Sequence, residues 1–307
     1  MKWFTEVEAG RSPHLLSYKN KILTLGSCFA DEIGSRMERY GFDIMVNPFG
    51  VLYNPASIAL SLKRLSQYSP LTSEDIVKDG SIYKSVYHSS DFSSPDPEEL
   101  LKMVNKAGEE ASSFFKSADT ITLTFGTTWI YRRIEDGRVV SNCHKQPANS
   151  FERISLTFEE VFEAIAPFIK NTPEKRWFLS ISPIRHLKDG AIENMISKSR
   201  LILAVNEIVS RFDNAVYFPS YEIVMDELRD YRFYGPDLLH LSAETSNFLL
   251  ERFLNFSLDN EAYGLLKNYK QLFEMKRHRP LFPESKEYKA LLKRIDELER
   301  YLKKLRE

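Results

Sequence analysis

The chain has 307 residues, of which 43% are hydrophobic and 28% charged, and its formal net charge at pH 7 is −1. This composition is sufficient for one large buried core, and it provides no basic face for the phosphates of a nucleic acid. The sequence shows neither the apolar run of a secretory signal nor a stretch of about 18 apolar residues that could span a membrane. We therefore expect a cytoplasmic protein that binds neither nucleic acid nor membranes.

Apolar runs alternate with segments of helical periodicity along the chain, which is typical of βα units. The predicted strands cover residues 21–26, 43–47, 120–125, 176–182 and 215–218. The predicted helices cover residues 28–40, 55–67, 98–117, 157–171, 190–212, 242–257 and 260–275. The strands are apolar and β-branched enough for a sheet that is covered on both faces. The sequence therefore predicts an α/β fold with a doubly wound parallel sheet.

Two stretches do not follow this alternation. Residues 78–97 are rich in Ser, Pro, Gly and Asp, which predicts an insertion loop that forms a rim or lid. His88 in this loop is expected to be exposed, unless a lid brings it inward. From about residue 284 a charged helix carries a heptad seam, formed by Tyr288, Leu291, Ile295, Leu298, Leu302 and Leu305. A helix this short must bury its apolar stripe, either on its own domain or in a homodimer. We divide the chain into a main domain, 1–283, and a C-terminal amphipathic helix, 284–307.

Two short segments that lie far apart in the sequence can together supply a nucleophile and its base. Ser27 and Cys28 follow the first strand and open a helix, so they lie at a strand-to-helix turn beside free N–H groups. Asp237 and His240 are three residues apart, which predicts that they meet on one helical turn, where the carboxylate orients the imidazole. A thiol in this setting is activated as the thiolate, although thiols are also among the most buried side chains.

The sequence contains no pattern that predicts a metal or a cofactor. The two cysteines, Cys28 and Cys143, are expected to be free thiols in a reducing compartment. Cys143 and His144 are adjacent, so in an extended segment they point to opposite faces and cannot easily bind one ion. CxxC and HExxH spacings are absent, as are glycine-rich phosphate loops.

The segment Gly26-Ser27-Cys28-Phe29-Ala30 resembles the signature of the GSCFA family, whose members are similar to the SGNH (GDSL-type) hydrolases. Further blocks agree with this resemblance in the right order, namely residues 47–55, 123–129, 142–145, 182–186 and 226–234. The resemblance covers roughly residues 15 to 260. It implies a three-layer α/β/α, flavodoxin-like domain with C-terminal helices, and it implies ester or acyl chemistry.

The resemblance also implies roles for individual residues. Aligned from Gly26, Cys28 falls at the position of the nucleophilic serine, while Ser27 stays open as the alternative nucleophile. The backbone N–H of Cys28 is the first candidate for an oxyanion donor. The block that begins at Asn47 aligns Gly50 with a second N–H donor, and the block that begins at Gly126 puts Thr128 where the related hydrolases have an asparagine donor.

Three further residues are expected in the pocket because they lie near the ends of predicted strands or elements. They are His144, Arg185 and His186. The predicted function is hydrolysis of an acyl ester of a polar small molecule, carbohydrates included, by a Cys/Ser–His–Asp triad. Two alternatives stay open, namely an acyl-CoA-dependent O-acyltransferase with the same triad and a non-catalytic module that binds a ligand.

Overall fold

The computed structural model describes residues 5–144 and 146–306. Its strands are β1 (Lys21–Gly26), β2 (Asp43–Val46), β3 (Ile76–Asp79), β4 (Ile82–Ser85), β5 (Ser93–Ser94), β6 (Thr120–Phe125), β7 (Trp129–Arg133), β8 (Val139–Val140), β9 (Phe151–Ser155), β10 (Arg176–Ile181) and β11 (Ala215–Phe218). Its helices are α1 (Cys28–Arg39), α2 (Pro55–Ser66), α3 (Pro97–Ser117), α4 (Phe158–Lys170), α5 (Ala191–Arg211), the single turn α6 (Ser220–Glu222), α7 (Ala243–Ser257), α8 (Asn260–Arg277) and α9 (Lys286–Arg306).

The central sheet is parallel and has the strand order β2-β1-β6-β10-β11. Numbered along the chain, these five strands lie in the order 2-1-3-4-5, which is the flavodoxin-like arrangement. The chain thus passes outward from β1 to one edge and then returns across β1 to build the other edge. The predicted α/β fold, with a parallel sheet between helices, is confirmed.

Helices cover both faces of the sheet. Neighbouring residues on a strand point to opposite faces, so each strand contributes side chains to two cores. Leu23 and Trp177 belong to the core that α2, α3, α4 and α5 cover. Ile22 and Phe178, each next to one of these residues in the chain, belong to the second core, which α1, α7 and α8 cover. The strands therefore carry apolar residues at nearly every position, as strands buried on both faces do.

The predicted bounds of these elements agree closely with the structure. The five predicted strands end within one residue of their observed ends, and the seven predicted helices within two. The sequence supplies recognisable start signals for several helices. Asn54, Asp96 and Thr157 cap α2, α3 and α4 through their side-chain oxygens, which accept hydrogen bonds from the first turns.

The prediction of an irregular insertion loop over residues 78–97 is wrong, because part of this region forms strands. This region contributes to a three-stranded antiparallel sheet, β3-β4-β5, and a second such sheet, β8-β7-β9, follows β6. A two-residue turn with Gly80 at φ +63° joins β3 to β4. Its Gly80-Ser81 pair is a hairpin signal in the sequence.

His88 is buried rather than exposed, with 2% of its surface accessible. Its Nδ1 lies 2.7 Å from Ser85 Oγ. The imidazole packs between Phe49 and Phe92, with ring centroids 5.2 and 4.5 Å away. Apolar packing on both sides of the ring removes it from solvent, so the expectation of an exposed residue in a polar loop is corrected.

The C-terminal helix α9 packs against α8 of the same chain. Leu302, in the predicted seam, is 2% exposed and lies in the second core, while Lys276 of α8 pairs with Glu299 of α9. The other seam positions are at least partly buried. Packing on its own domain is thus the arrangement within this chain, and a homodimer through α9 stays a prediction. None of the helices described combines the length and apolar composition needed to cross a bilayer.

Candidate active site

The turn that carries Cys28 is fixed by close contacts between strand ends. Gly26 ends β1 with φ +150°, and its N–H donates to Asn47 Oδ1 at 2.8 Å. The next N–H, of Ser27, donates to the carbonyl of Thr124 at 3.2 Å. A Cβ at Gly26 would lie 2.4 Å from the Thr124 carbonyl oxygen, so only glycine fits here. The chain must then enter α1 with Cys28 as its first helical residue.

The two candidate nucleophiles have different environments. Ser27 is 1% exposed, and its Oγ has no hydrogen-bond partner within residues 5–144 and 146–306. Cys28 is partly exposed. Burial raises the pKa of the Cys28 thiol, while its own N–H and that of Phe29, at the start of the helix, act to lower it. Because the effect of burial is larger, the resting form is the thiol, and the helix N-terminus alone does not activate it.

Asp237 and His240 form the predicted pair, but on a closed loop instead of a helical turn. His240 Nδ1 lies 2.6 Å from Asp237 Oδ2. Asp237 Oδ1 also accepts the backbone N–H groups of Leu239 and His240, both at 2.9 Å. These hydrogen bonds, with that to the imidazole as the largest cause, lower the pKa of Asp237 to about 2. The carboxylate is thus ionised at neutral pH and fixes the ring orientation.

The loop closes because the N–H of Gly235 donates to the His240 carbonyl at 2.8 Å, while Leu238 takes a positive φ of 57°. Arg185, after β10, donates to the Leu238 carbonyl. Its guanidinium also lies over the ring of Tyr234, 4.7 Å from the centroid. Arg185 therefore holds the loop of the Asp–His pair against the end of the sheet.

His186 lies between this loop and the ends of β1 and β6. Burial first, then the charges of Lys198 and His240, lower the pKa of His186 to about 4, so its ring is neutral. Its Nε2 is buried and has no hydrogen bond within the described part of the chain. His186 Nε2 lies so close to Gly126 that a Cβ added there would be 3.0 Å from it. The His186 ring also packs edge to face against the ring of Tyr53, with 5.6 Å between the centroids.

Tyr53 is a site residue that the sequence analysis did not single out. Burial and then the charge of Cys28 raise the pKa of Tyr53, so the phenol and the thiol are close enough to interact. The Tyr53 carbonyl accepts the N–H groups of Gly126 at 2.7 Å and Thr127 at 3.0 Å. Its position within the conspicuous segment 47–55 was the available signal.

Two predicted oxyanion donors are corrected. The N–H of Gly50 donates to the carbonyl of Asn47 at 2.7 Å, so it is engaged in a turn. Thr128 is buried, and its Oγ1 bonds to Ser155 Oγ at 2.9 Å and Ser197 Oγ at 3.1 Å. Neither group is free to meet a developing charge. Polar groups of interior loops tend to be paired locally, a constraint that an alignment of short motifs does not include.

The other predicted pocket residues also have structural partners. The side chain of Asn47 is engaged at both ends, because its Nδ2 donates to Asp31 Oδ1 at 3.3 Å in addition to its bond with Gly26. It therefore positions the Cys28 turn. His144 is buried against β4, with Nε2 2.6 Å from the Ser85 carbonyl, which corrects its placement in the pocket. Lys145, in the same predicted segment, lies outside the described residues.

A row of buried polar residues on α5 holds the loops after β6 and β10. Asn194 Oδ1 accepts the N–H of His186 at 2.9 Å. Ser197 Oγ accepts the N–H of Thr128 at 2.8 Å, and Lys198 Nζ donates to the Ser182 carbonyl at 2.5 Å. The spacing of Asn194, Ser197 and Lys198 puts all three on one helix face. Polar residues along an otherwise apolar stripe were the signal that sequence reasoning missed.

Neither a metal centre nor a disulfide is found in the part of the chain that the structure describes. No three His, Cys, Asp or Glu side chains of residues 5–144 and 146–306 come together in a group able to hold a metal ion. Cys28 and Cys143 are both free thiols. The chemistry that the site can offer from these residues is that of a thiol, two imidazoles and one carboxylate.

The fold and the site together define an α/β protein with a cysteine at the first strand-to-helix turn and an Asp–His pair in a loop near the end of the domain. The model of the GSCFA family matches residues 21–253. The chain therefore belongs to the GSCFA family. The search of curated proteins found no match.

Two solved structures are similar at low identity. One is a suspected platelet activating factor from Streptococcus pneumonia, 14% identical, covering 77% of this chain and 87% of that one, with a TM-score of 0.39. The other is a carbohydrate esterase family 2 enzyme with a carbohydrate-binding domain, from Corynascus thermopiles (Myceliophthora fergusii). It is 14% identical, with coverage of 79% of this chain and 66% of that one and a TM-score of 0.36. These likenesses are too remote to support an argument about the site.

Proposed function

We propose that this protein is an SGNH-like hydrolase that acts on an acyl ester through Cys28, His240 and Asp237. The observation that carries the proposal is the Asp237–His240 hydrogen bond of 2.6 Å. Arg185, which follows β10, holds the loop of this pair by a hydrogen bond to the Leu238 carbonyl. At the same edge of the sheet α1 begins with Cys28, whose thiol is partly exposed. A nucleophile, a base and an orienting carboxylate are the three parts of a triad, whatever their order in the chain.

In this mechanism Asp237 keeps His240 in the tautomer with a proton on Nδ1, which leaves Nε2 free to accept one. His240 takes the proton from Cys28 Sγ as the sulfur attacks the acyl carbonyl. The tetrahedral intermediate then collapses, His240 returns the proton to the leaving alcohol, and a thioester remains. Water, activated by the same imidazole, releases the acid and restores the thiol.

The oxyanion needs donors that are not already bonded. The N–H of Cys28 at the start of α1 is one candidate, because helix N-termini present N–H groups without intrahelical acceptors. We assign the second role to His186, whose Nε2 is buried without a partner within the described residues and whose ring is neutral at physiological pH. A neutral imidazole protonated at Nε2 can donate a hydrogen bond without carrying a charge into the site.

The surroundings support a polar substrate with a flat or apolar face, for which a carbohydrate ester is our candidate. Tyr53 and Tyr231 both expose part of their rings. The guanidinium of Arg185, partly exposed, lies 5.4 Å from the Tyr231 centroid. Aromatic faces combined with a few oriented polar groups are typical of small-molecule sites.

The test is the cleavage of a panel of short-chain aryl and sugar esters by the purified protein and its variants. We expect Cys28→Ala to abolish turnover and His240→Gln and Asp237→Asn each to reduce kcat/KM by on the order of 10²- to 10⁴-fold. The matched control is Asp226→Asn, since Asp226 is also exposed but pairs with Arg229, at 3.5 Å, instead of with a histidine.

Several outcomes separate this proposal from its rivals. Loss of activity in Ser27→Ala with retention in Cys28→Ala would transfer the role of nucleophile to Ser27. Turnover that requires an acceptor alcohol and an acyl-CoA donor would indicate the O-acyltransferase. Binding of sugars without turnover in any assay would indicate a non-catalytic module and would contradict the proposal.

A further inference from the structure

Lys198 is a buried cation that the proposed triad does not use. It is 1% exposed, and no Asp or Glu of the described residues forms an ion pair with it. Its Nζ donates to the Ser182 carbonyl at 2.5 Å and lies 5.5 Å from the centroid of the Tyr221 ring. Lysines are almost never fully buried without a partner, because taking an ammonium out of water is costly. Such a group needs an explanation, and functional sites are where it is most often found.

The connections between strand ends bring the ammonium to the edge where Cys28 lies. Ser182, which accepts the Lys198 hydrogen bond, is the first residue after β10, and its own N–H donates to the carbonyl of Phe125 at 2.8 Å. Phe125 ends β6, and Thr124 beside it accepts the N–H of Ser27 at 3.2 Å. Three neighbouring strands therefore end in one hydrogen-bonded row, with Lys198 at one end and the Cys28 turn at the other.

Lys198 and Cys28 also interact electrostatically. Burial lowers the pKa of Lys198 to about 7, and the charge of Cys28 acts in the opposite direction, favouring the ammonium. Attraction between two charges is mutual, so an ammonium at Lys198 also favours the Cys28 thiolate, although burial, Glu32 and Asp31 keep the pKa of the thiol raised. The charge of Lys198 also disfavours protonation of His186, which is the second cause of that residue's lowered pKa.

We propose that Lys198 is the charge partner of Cys28, a positioning residue whose buried ammonium stabilises the thiolate that attacks the substrate. The inference rests on the proposed function in taking Cys28 as the nucleophile. The proton of the thiol goes to His240 in the reaction, so Lys198 keeps its own proton and changes only the free energy of the thiolate. Once the neutral thioester forms, Lys198 loses its counter-charge.

Other charged groups oppose this effect. Glu32 and Asp31, on the same helix as Cys28, both raise the pKa of the thiol. Tyr53, in the loop before α2, also interacts with the thiol, but its raised pKa keeps the phenol neutral. In this proposal the ammonium of Lys198 offsets them, together with the N–H groups of Cys28 and Phe29. The resting group is still the thiol, so the ammonium of Lys198 acts on the small fraction of thiolate from which attack begins.

The first experiment measures the rate at which iodoacetamide alkylates Cys28 as a function of pH, with Cys143 as an internal reference in the same chain. Lys198→Met should slow alkylation of Cys28 at neutral pH by about tenfold or more, the effect of one pKa unit. The alkylation of Cys143 should not change.

Lys175→Met is the matched control. Lys175 is also a buried lysine whose Nζ donates to backbone carbonyls, those of Phe115, at 3.0 Å, and Ala118. It precedes β10, so it lies at the opposite end of the sheet from Cys28. We expect the Cys28 profile of this variant to match the wild type, which separates a charge effect from the general loss of a buried ammonium.

The reciprocal experiment does not depend on whether Lys198→Met folds. In protein labelled with ¹⁵N-lysine, we expect the titration midpoint of Lys198 to fall when Cys28→Ser removes the thiolate, and to stay in place in Cys143→Ser. Identical Lys198 midpoints in the wild type and in Cys28→Ser, or superimposable alkylation profiles for the wild type and Lys198→Met, would overturn the proposal. Neither readout requires turnover, so a failure of the proposed hydrolase activity is distinguishable from a failure of this inference.

Discussion

His88 and His186 are neutral, buried imidazoles, and they should make the stability of the protein depend on pH. Burial, as the largest cause in each case, lowers their pKa values to about 3 and about 4. The unfolded chain has the ordinary value near 6.5, so it binds more protons than the folded chain between that pH and the folded values. Stability is therefore full above about pH 6.5 and is lost as the pH falls from there.

We expect each of these two histidines to cost the folded state about 2 kcal/mol between about pH 7.5 and about pH 5. Urea unfolding at both pH values measures the sum. His88→Gln should reduce the pH-dependent loss by about half, whereas His278→Gln, at an exposed position, should leave it unchanged. A loss of stability that is the same in all three proteins would contradict the burial of His88 in neutral form.

Among individual residues, sequence reasoning found the ones that belong to a short sequence motif. Cys28 and His240 stand in short motifs, so they were visible in the sequence. Lys198 and Tyr53 belong to the site only because β1, β6 and β10 end side by side, and no local pattern contains that information. Whether Gly50 or Thr128 has a free donor depends equally on hydrogen bonds formed after folding.

At the scale of elements, Gly26 is the residue through which the sheet sets the position of Cys28. Gly26 and Gly137 both have a positive φ, but an added Cβ meets the Thr124 backbone at Gly26 and nothing within 4 Å at Gly137. We expect Gly137→Ala to cost roughly 1–2 kcal/mol through its backbone conformation alone. Gly26→Ala should cost at least about 2 kcal/mol more, because β1 and β6 must separate.

Urea unfolding compares the two variants, and ester cleavage measures the consequence for the site. We expect Gly26→Ala to lose kcat beyond its loss of stability, since the turn that carries Cys28 must shift. Gly137→Ala should retain the kinetics of the wild type. Equal unfolding free energies in the two variants would show that the close approach at Gly26 does not constrain the turn.

Helices and sheet strands were predicted well because their signal is repeated over many residues. The strand Thr120–Phe125 and the amphipathic helix Pro97–Ser117 each carry a pattern that tertiary contacts reinforce. Within the two antiparallel sheets, which were missed, length explains only the shortest strands. Ser93–Ser94 and Val139–Val140 have two residues each, too few for a period to appear, and they exist only through pairing with β4 and β7.

At the scale of the whole molecule, α9 is the element whose role the sequence left open. Leu302 is buried in the second core, whereas Leu292, on the same helix, is 45% exposed. We expect Leu302→Ala to lower the free energy of unfolding by about 2–5 kcal/mol and Leu292→Ala to change it by less than about 0.5 kcal/mol. Equal effects would mean that α9 does not dock on α8 in solution.

Sedimentation of the full chain and of a chain lacking residues 284–307 tests the predicted homodimer. A dimer formed through the heptad seam has to exchange the contact with α8 for one with a partner. It should therefore disappear with the truncation and in Leu302→Asp. A monomer in every case would remove the dimer prediction while leaving the docking of α9 unaffected.

The central claim is that Cys28 becomes acylated. Mass spectrometry of the protein, quenched in acid after exposure to a range of activated acyl esters, tests it directly. The account predicts a thioester on the peptide that contains Cys28, sensitive to hydroxylamine, absent from Cys28→Ala and formed more slowly in His240→Gln. Across the range of donors, the absence of any adduct, or acylation at Cys143 with Cys28 unmodified, would contradict it.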